Sequence, residues 1–161
     1  MYQHWSIIIK SAIEIKKLSK NYNKVKALKE IDLIIPKGSF FGLLGPNGAG
    51  KTTTINIITG LVKISSGNVS ILGHNVITDF KESRKKIGLA PQEFNFDHFF
   101  NLKEMLCFQA GYYGVKKSIA NDRAIQMLKQ FGLKSKANST ARQLSGGMKR
   151  RLQIAKALVH D

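Results

Sequence analysis

Residues 40–53 read FFGLLGPNGAGKTT, and the fold follows from how that stretch divides. Its opening, Phe40 to Leu44, is a short continuous apolar run of the kind a buried parallel strand shows. The continuation, Gly45-Pro46-Asn47-Gly48-Ala49-Gly50-Lys51-Thr52, matches G-x-x-x-x-G-K-[ST] in full. Glycines at these positions let the backbone curl so that successive N–H groups point inward, and a helix opening after them presents its positive end to the same place. Lys51 is then set to reach β and γ phosphates, and the Thr52 hydroxyl to ligand Mg²⁺. Strand, loop and helix in that order is the context such a loop requires, so the stretch is expected to hold the phosphates of a nucleotide.

Working outward, residues 12–18 (AIEIKKL) alternate at period two, with Ile13 and Ile15 on one face, and residues 27–35 (ALKEIDLII) read likewise. Both predict half-buried strands, and Pro36-Lys37-Gly38-Ser39 after them predicts a turn. A helix over about residues 52–59 should end at Gly60, a suitable C-terminal glycine. Residues 68–72 (NVSIL) predict another strand, and residues 86–90 (KIGLA) a second short buried one that ends at Pro91-Gln92.

From there the texture becomes helical. Asn101 followed by Glu104 marks a helix start, with Leu102, Met105, Leu106 and Tyr113 at helical spacings. A further helix over about residues 119–131 is expected to bury Ile125 and Leu128 and to stop at Gly132. Residues 144–161 (LSGGMKRRLQIAKALVHD) predict a last helix, with Ser145 as its N-cap, Gly146 and Gly147 behind it, and Met148, Leu152, Ala155 and Val159 as a buried stripe. A capped, glycine-led helix start is a second place able to receive an anion.

Composition narrows the function classes. A chain of 161 residues can enclose one core, burying roughly 70% of the surface exposed when unfolded. No apolar run approaches the ~20 residues of a membrane-spanning helix, and MYQHWSIIIK at the start is not a convincing secretory signal, so a cytosolic protein is expected. The net charge is +16, yet lysines are spread along the whole chain, only five of the 26 basic residues are arginine, and no basic block is interleaved with aromatics. A genome rich in A and T would give the same abundance of Lys, Ile and Asn, and no nucleic-acid partner is expected. Lys149, Arg150 and Arg151 are read as the solvated face of the last helix. Cys107, the single cysteine, is read as a buried, inert thiol, and the scattered His4, His74, His98 and His160 predict no transition-metal site. No N-K-x-D guanine-reading sequence occurs, which counts against a GTPase.

Together, the loop, APQEF at 90–94 and LSGGM at 144–148 resemble the ATP-binding subunits of ABC transporters. GPNGAGKTT, PQEFNFD and LSGGMKRRLQIAKAL are most similar to the subfamily that pairs with ABC-2 type permeases, often described as multidrug or polysaccharide exporters. The resemblance covers about residue 11 to the end. It implies an α/β fold: a P-loop NTPase core of ABC type with a small antiparallel β part and a helical insertion. It also implies a division into residues 1–10, an unmatched extension; 11–92, the β part and phosphate-loop core; 93–143, a helical subdomain; and 144–161, the signature motif and its helix.

The same resemblance assigns residues. ATP and Mg²⁺ are the implied ligands, with Tyr22 stacking on adenine and Gly45, Asn47, Gly48, Gly50, Lys51, Thr52 and Thr53 around the phosphates. Gln92 matches the Q-loop glutamine, which meets Mg²⁺ and the attacking water, so Lys51 and Gln92 carry the catalytic roles and Thr52 and Gln92 the metal. Leu144, Ser145, Gly146 and Gly147 match the signature that closes on the γ-phosphate held by a second ATPase domain in a head-to-tail homodimer. Met148 departs from the commonest LSGGQ form and leaves the glycine contacts possible. Membrane permease subunits of ABC-2 type are the other implied partners, with the ATPase on the cytoplasmic side of the cell membrane.

The resemblance further implies a buried strand after the last helix, ending in an aspartate with a glutamate beside it. No four apolar residues followed by Asp occur in the chain, and His160 lies too early to be the family's switch histidine. The chain is therefore expected to be truncated before that strand and to lack hydrolysis. The intact protein is expected to couple ATP binding and hydrolysis to export through a separate permease. The alternatives are a non-transport ABC protein acting on ribosomes or DNA, and a truncated, non-catalytic nucleotide-binding protein.

Overall fold

The computed structural model describes residues 11–161, so the extension at 1–10 lies outside the described residues. The chain forms two compact units, one ending at Lys86 and the other spanning Ile87–Asp161.

The first unit is built on a four-stranded antiparallel sheet of order β2-β1-β3-β4, with β1 at Ser11–Tyr22, β2 at Val25–Pro36, β3 at Ser66–Ile71 and β4 at His74–Asn75. Helix α1 (Lys51–Ile58) joins β2 to β3, and α2 (Phe80–Lys85) follows β4. The β1–β2 hairpin turns at Asn23, whose φ of 50° is one that asparagine tolerates better than most residues.

Simple period-two alternation holds only as far as Ile15. A register shift between Ile15 and Leu18, with Lys17 at φ 47°, inserts an extra step that brings Leu18 onto the buried side. The Asp32 carboxylate accepts from the Lys17 N–H at 2.8 Å and holds that bulge. Gly67 of β3 runs directly against it, where any Cβ would collide with the Lys17 carbonyl. Ile15, Leu18, Leu28, Val69 and Ile71, with Ile57 and Ile58 of α1, make this unit's core. Helix α1 ends as expected at Gly60 (φ 74°): the Gly60 N–H reaches the Ile57 carbonyl at 3.0 Å and the Leu61 N–H the Asn56 carbonyl at 2.8 Å, the paired bonds of a glycine-terminated helix.

The second unit holds three helices, α3 (Leu102–Tyr112), α4 (Lys117–Gln130) and α5 (Gly146–Leu158), with 3₁₀ turns at Lys134–Lys136 and Ala141–Gln143. Asn101 and Glu104 form the expected reciprocal cap, each side chain accepting from the other's backbone N–H at 2.9 Å. Leu102, Leu106, Leu128, Leu133, Leu152, Ala155 and Val159 are the centre of the core. A leucine so enclosed contributes roughly 1.5–3 kcal/mol.

Three expectations are corrected here. Residues 40–44 form no strand, and Phe40 and Leu44 are exposed. A parallel strand exists only by pairing with a neighbour, and the described chain lays none beside this run. The same holds for residues 86–90, which are irregular and leave Leu89 exposed. Finally, α4 buries Ala120, Ala124 and Leu128 at i, i+4 and i+8, which turns Ile125 outward. Small alanines on that stripe leave the burial to Leu128, so the larger Ile125 is not the anchor.

Candidate functional site

In the first unit the loop at 45–52 leads from the end of the exposed run into α1. Gly48 and Gly50 have φ of 84° and 88°, values that favour glycine. Gly50 is the residue before the helix, and a Cβ there would strike Leu28 Cδ2 and lie 3.0 Å from the Ala27 carbonyl on β2. That glycine is thus needed both for its dihedral and for seating the loop against the sheet.

The first helical bond runs from Thr54 N–H to the Gly50 carbonyl at 2.8 Å, so the helix itself does not use the N–H groups of Lys51, Thr52 and Thr53. No acidic side chain lies in this first turn, and the helix end keeps its positive character. Lys51 folds back on the loop, its Nζ donating to the Gly45 carbonyl at 2.6 Å and the Pro46 carbonyl at 2.7 Å. A cluster of unspent N–H groups, an ammonium held beside it and an exposed Thr52 hydroxyl fit a polyphosphate. No cluster of three or more His, Cys, Asp or Glu able to hold a metal occurs among the described residues. A divalent cation here would lean on phosphate oxygens and one hydroxyl, the manner in which Mg²⁺ is commonly held.

Tyr22 sits at the end of β1, in the same unit, with about half its surface exposed and the Lys20 Nζ 4.8 Å from its ring centroid. A half-exposed aromatic ring is chemically able to stack on a planar base.

The second unit carries Gln92 and the LSGG sequence. Gln92 is exposed in an irregular segment. Leu144 is buried, and Ser145 caps α5, its Oγ accepting from the Met148 N–H at 3.3 Å. Gly146 and Gly147 are exposed, and a Cβ built on either would meet nothing within 4 Å. Packing among the described residues of this unit therefore does not demand glycine there; close approach by something outside it would.

Three residues in this unit escape the sequence reading. Arg150, expected to be only solvated, donates to the Pro91 carbonyl at 3.1 Å, and Gln153 donates to the Glu93 carbonyl at 2.7 Å. The available signal was Gln153 itself, a polar residue next to Leu152 in the buried stripe. Arg151 also has a partner, the Phe131 carbonyl at the end of α4, at 3.0 Å. Cys107 is partly buried, its Sγ 3.3 Å from Asn121 Oδ1, and burial pushes its thiol up in pKa, which suits an unreactive cysteine. His160 stacks on Tyr113, with ring centroids 3.7 Å apart, and burial lowers its pKa.

Tyr22 and the residues from Gly45 to Thr53 thus lie in the first unit, and Gln92 and Leu144–Gly147 in the second. No helix among the described residues is long and apolar enough to cross a membrane.

A family model described as ABC transporter matches residues 28–161. The Nod factor export ATP-binding protein I of Cupriavidus pinatubonensis is 36% identical over 92% of this chain and 46% of its own length. The linearmycin resistance ATP-binding protein LnrL of Bacillus subtilis is 39% identical over 92% of this chain and 48% of its own length. This chain spans about half the length of the curated relatives it matches. Among solved structures, the ATP binding subunit of an ABC transporter superposes with a TM-score of 0.81 at 29% identity, covering 93% of this chain and 62% of that one. A dimeric, post-hydrolysis ATP-binding cassette bound to ADP and Pi superposes with a TM-score of 0.77 at 31% identity, covering 92% and 69%.

Proposed function

Because this chain belongs to the ABC transporter family, with a Nod factor export ATP-binding protein and a linearmycin resistance ATP-binding protein among its relatives, we propose that it binds ATP at Gly45–Thr53 and serves as the ATP-binding subunit of an exporter whose permease is a separate membrane chain. The observation that carries the reading is the loop itself: unspent N–H groups at the start of α1 beside the Lys51 ammonium.

In this reading the backbone of Asn47, Gly48 and Gly50 and the N–H groups of Lys51, Thr52 and Thr53 cradle the phosphates. Lys51 exchanges its two loop carbonyls for phosphate oxygens, and Tyr22 stacks on the adenine. Mg²⁺, when bound, neutralises charge on the β and γ phosphates; Thr52 and Gln92 would hold it. Ser145, Gly146 and Gly147, with Leu144 anchoring them, present the start of α5 to a nucleotide held by a second copy. The open space over both glycines supports that role, as does the dimer in which one structural relative was solved. The permease is proposed to be of ABC-2 type, with the ATPase on its cytoplasmic face. The functional divisions follow residues 11–92, 93–143 and 144–161.

We further propose that this 161-residue polypeptide does not turn ATP over by itself, since within it no apolar run ends in the aspartate and glutamate that the family's hydrolysis needs. A steady-state phosphate-release assay tests this. Release at background, unchanged by Lys51→Ala, is expected; release that Lys51→Ala abolishes would overturn it.

A further inference from the structure

The segment from Ile87 to Phe96 has no strand or helix to fix it, yet its backbone is tied to α5 at several points. Gly88 approaches α5 so closely that a Cβ would collide with the Ala157 carbonyl. The carbonyls on either side of Gln92, those of Pro91 and Glu93, accept from Arg150 and Gln153 respectively.

Gln153 is only 3% exposed, and both ends of its amide are spent: Nε2 on Glu93, and Oε1 accepting from the Arg150 guanidinium at 3.0 Å. A buried amide left unpaired is costly, so this orientation is fixed by its two bonds. Gln92 itself remains exposed. The backbone is gripped on both sides while the side chain between them points free of the grip.

We propose that Arg150 and Gln153 are positioning residues for Gln92, locking its loop to the helix that the LSGG sequence opens, so that Gln92 and the start of α5 move as one body. Displacing the N-terminal end of α5 then displaces Gln92 without any contact between Gln92 and the signature residues. The inference rests on the reading of Gln92 as a contact to Mg²⁺.

Limited proteolysis by a glutamyl endopeptidase tests the tether, because the bond it cuts after Glu93 contains the carbonyl that Gln153 holds. Gln153→Met keeps length and burial but loses both hydrogen bonds, and cleavage after Glu93 should accelerate about tenfold, the factor a single net hydrogen bond carries, with cleavage after Glu104 in α3 unchanged. Arg150→Met, at an exposed position, gives a second variant that keeps the buried amide and its bond to Glu93 while removing the guanidinium from the Pro91 carbonyl and from Gln153 Oε1, and it should also accelerate cleavage after Glu93. Unchanged cleavage after Glu93 in both Gln153→Met and Arg150→Met overturns the proposal.

A second readout separates positioning from packing: the ratio of ATP affinities with and without Mg²⁺. Gln153→Met should lower that ratio to the level of Gln92→Ala, and the double variant should lower it no further. A ratio lowered by Gln92→Ala but untouched by Gln153→Met overturns the proposal. If Gln92→Ala leaves the ratio unchanged while cleavage after Glu93 still responds to Gln153→Met, the tether stands and the metal reading of Gln92 is what fails.

Discussion

The run Phe40–Leu44 and the stripe Leu152, Ala155, Val159 are equally apolar as sequence and have opposite fates in the structure. Phe40 and Leu44 are exposed in irregular chain, whereas Leu152, Ala155 and Val159 are wholly buried. The difference lies in where each finds its hydrogen bonds. A helix satisfies its own backbone and needs only a face to cover, and α5 finds that cover on α3 and α4. A parallel strand must be given its ladder by neighbours, and no described element supplies one to residues 40–44.

The contrast can be broken from either side. Leu152→Ala should cost roughly 2–5 kcal/mol in a urea melt followed by helix signal, because it opens a cavity in a closed core; a loss below the level of a surface substitution would break the contrast. Asn101→Ala should cost about 1 kcal/mol, since the Glu104 N–H loses the Asn101 side chain as its acceptor, although the backbone N–H at 101 can still reach the Glu104 carboxylate.

A pH series sharpens the picture of the same unit. Burial against Tyr113 lowers the pKa of His160, Arg123 adding to this and Asp161 opposing it. The unfolded chain therefore takes up the proton first as the pH falls. The stability His160 contributes is fully present above the ordinary histidine value of about 6.5 and declines as the pH drops from there towards the lowered folded value. Melting temperature should fall over that window, and His160→Phe should flatten the fall; an equal slope in the variant would show that another group is responsible.

The smallest effect belongs to the first region. Phe40→Ser with Leu44→Ser should change the melt by no more than about 0.5 kcal/mol, while raising the fraction that stays monomeric in ultracentrifugation, because an exposed apolar run invites association. A large loss of stability would mean that the run is packed after all.

What was legible in the sequence follows the same division. The Asn101–Glu104 cap, the glycine stops at Gly60 and Gly132 and the Ser145 N-cap are local devices, and each could be read from a few neighbouring residues. The loop at 45–52 was legible for the same reason, its glycines being dictated by backbone angles. Pairing is not local, and so the strands expected at 40–44 and 86–90 are absent and the bulge at Lys17 was invisible. Ile125 was misplaced because hydrophobicity alone does not tell which of two adjacent helical stripes faces the core when alanines form the tight one. Gln153 could have been noticed as a polar residue in an apolar stripe, but only the fold shows that its partner is the Glu93 carbonyl, far away in sequence.

The most direct test is a calorimetric titration of MgATP into the 161-residue chain and into its Lys51→Ala variant, both held at low concentration to keep them monomeric. Saturable binding by the unaltered chain, weakened at least about tenfold by loss of a charge-assisted contact in the variant, is the predicted result. Equal affinity in the two would contradict the account, since the nucleotide would then be bound somewhere other than the loop at Gly45–Thr53.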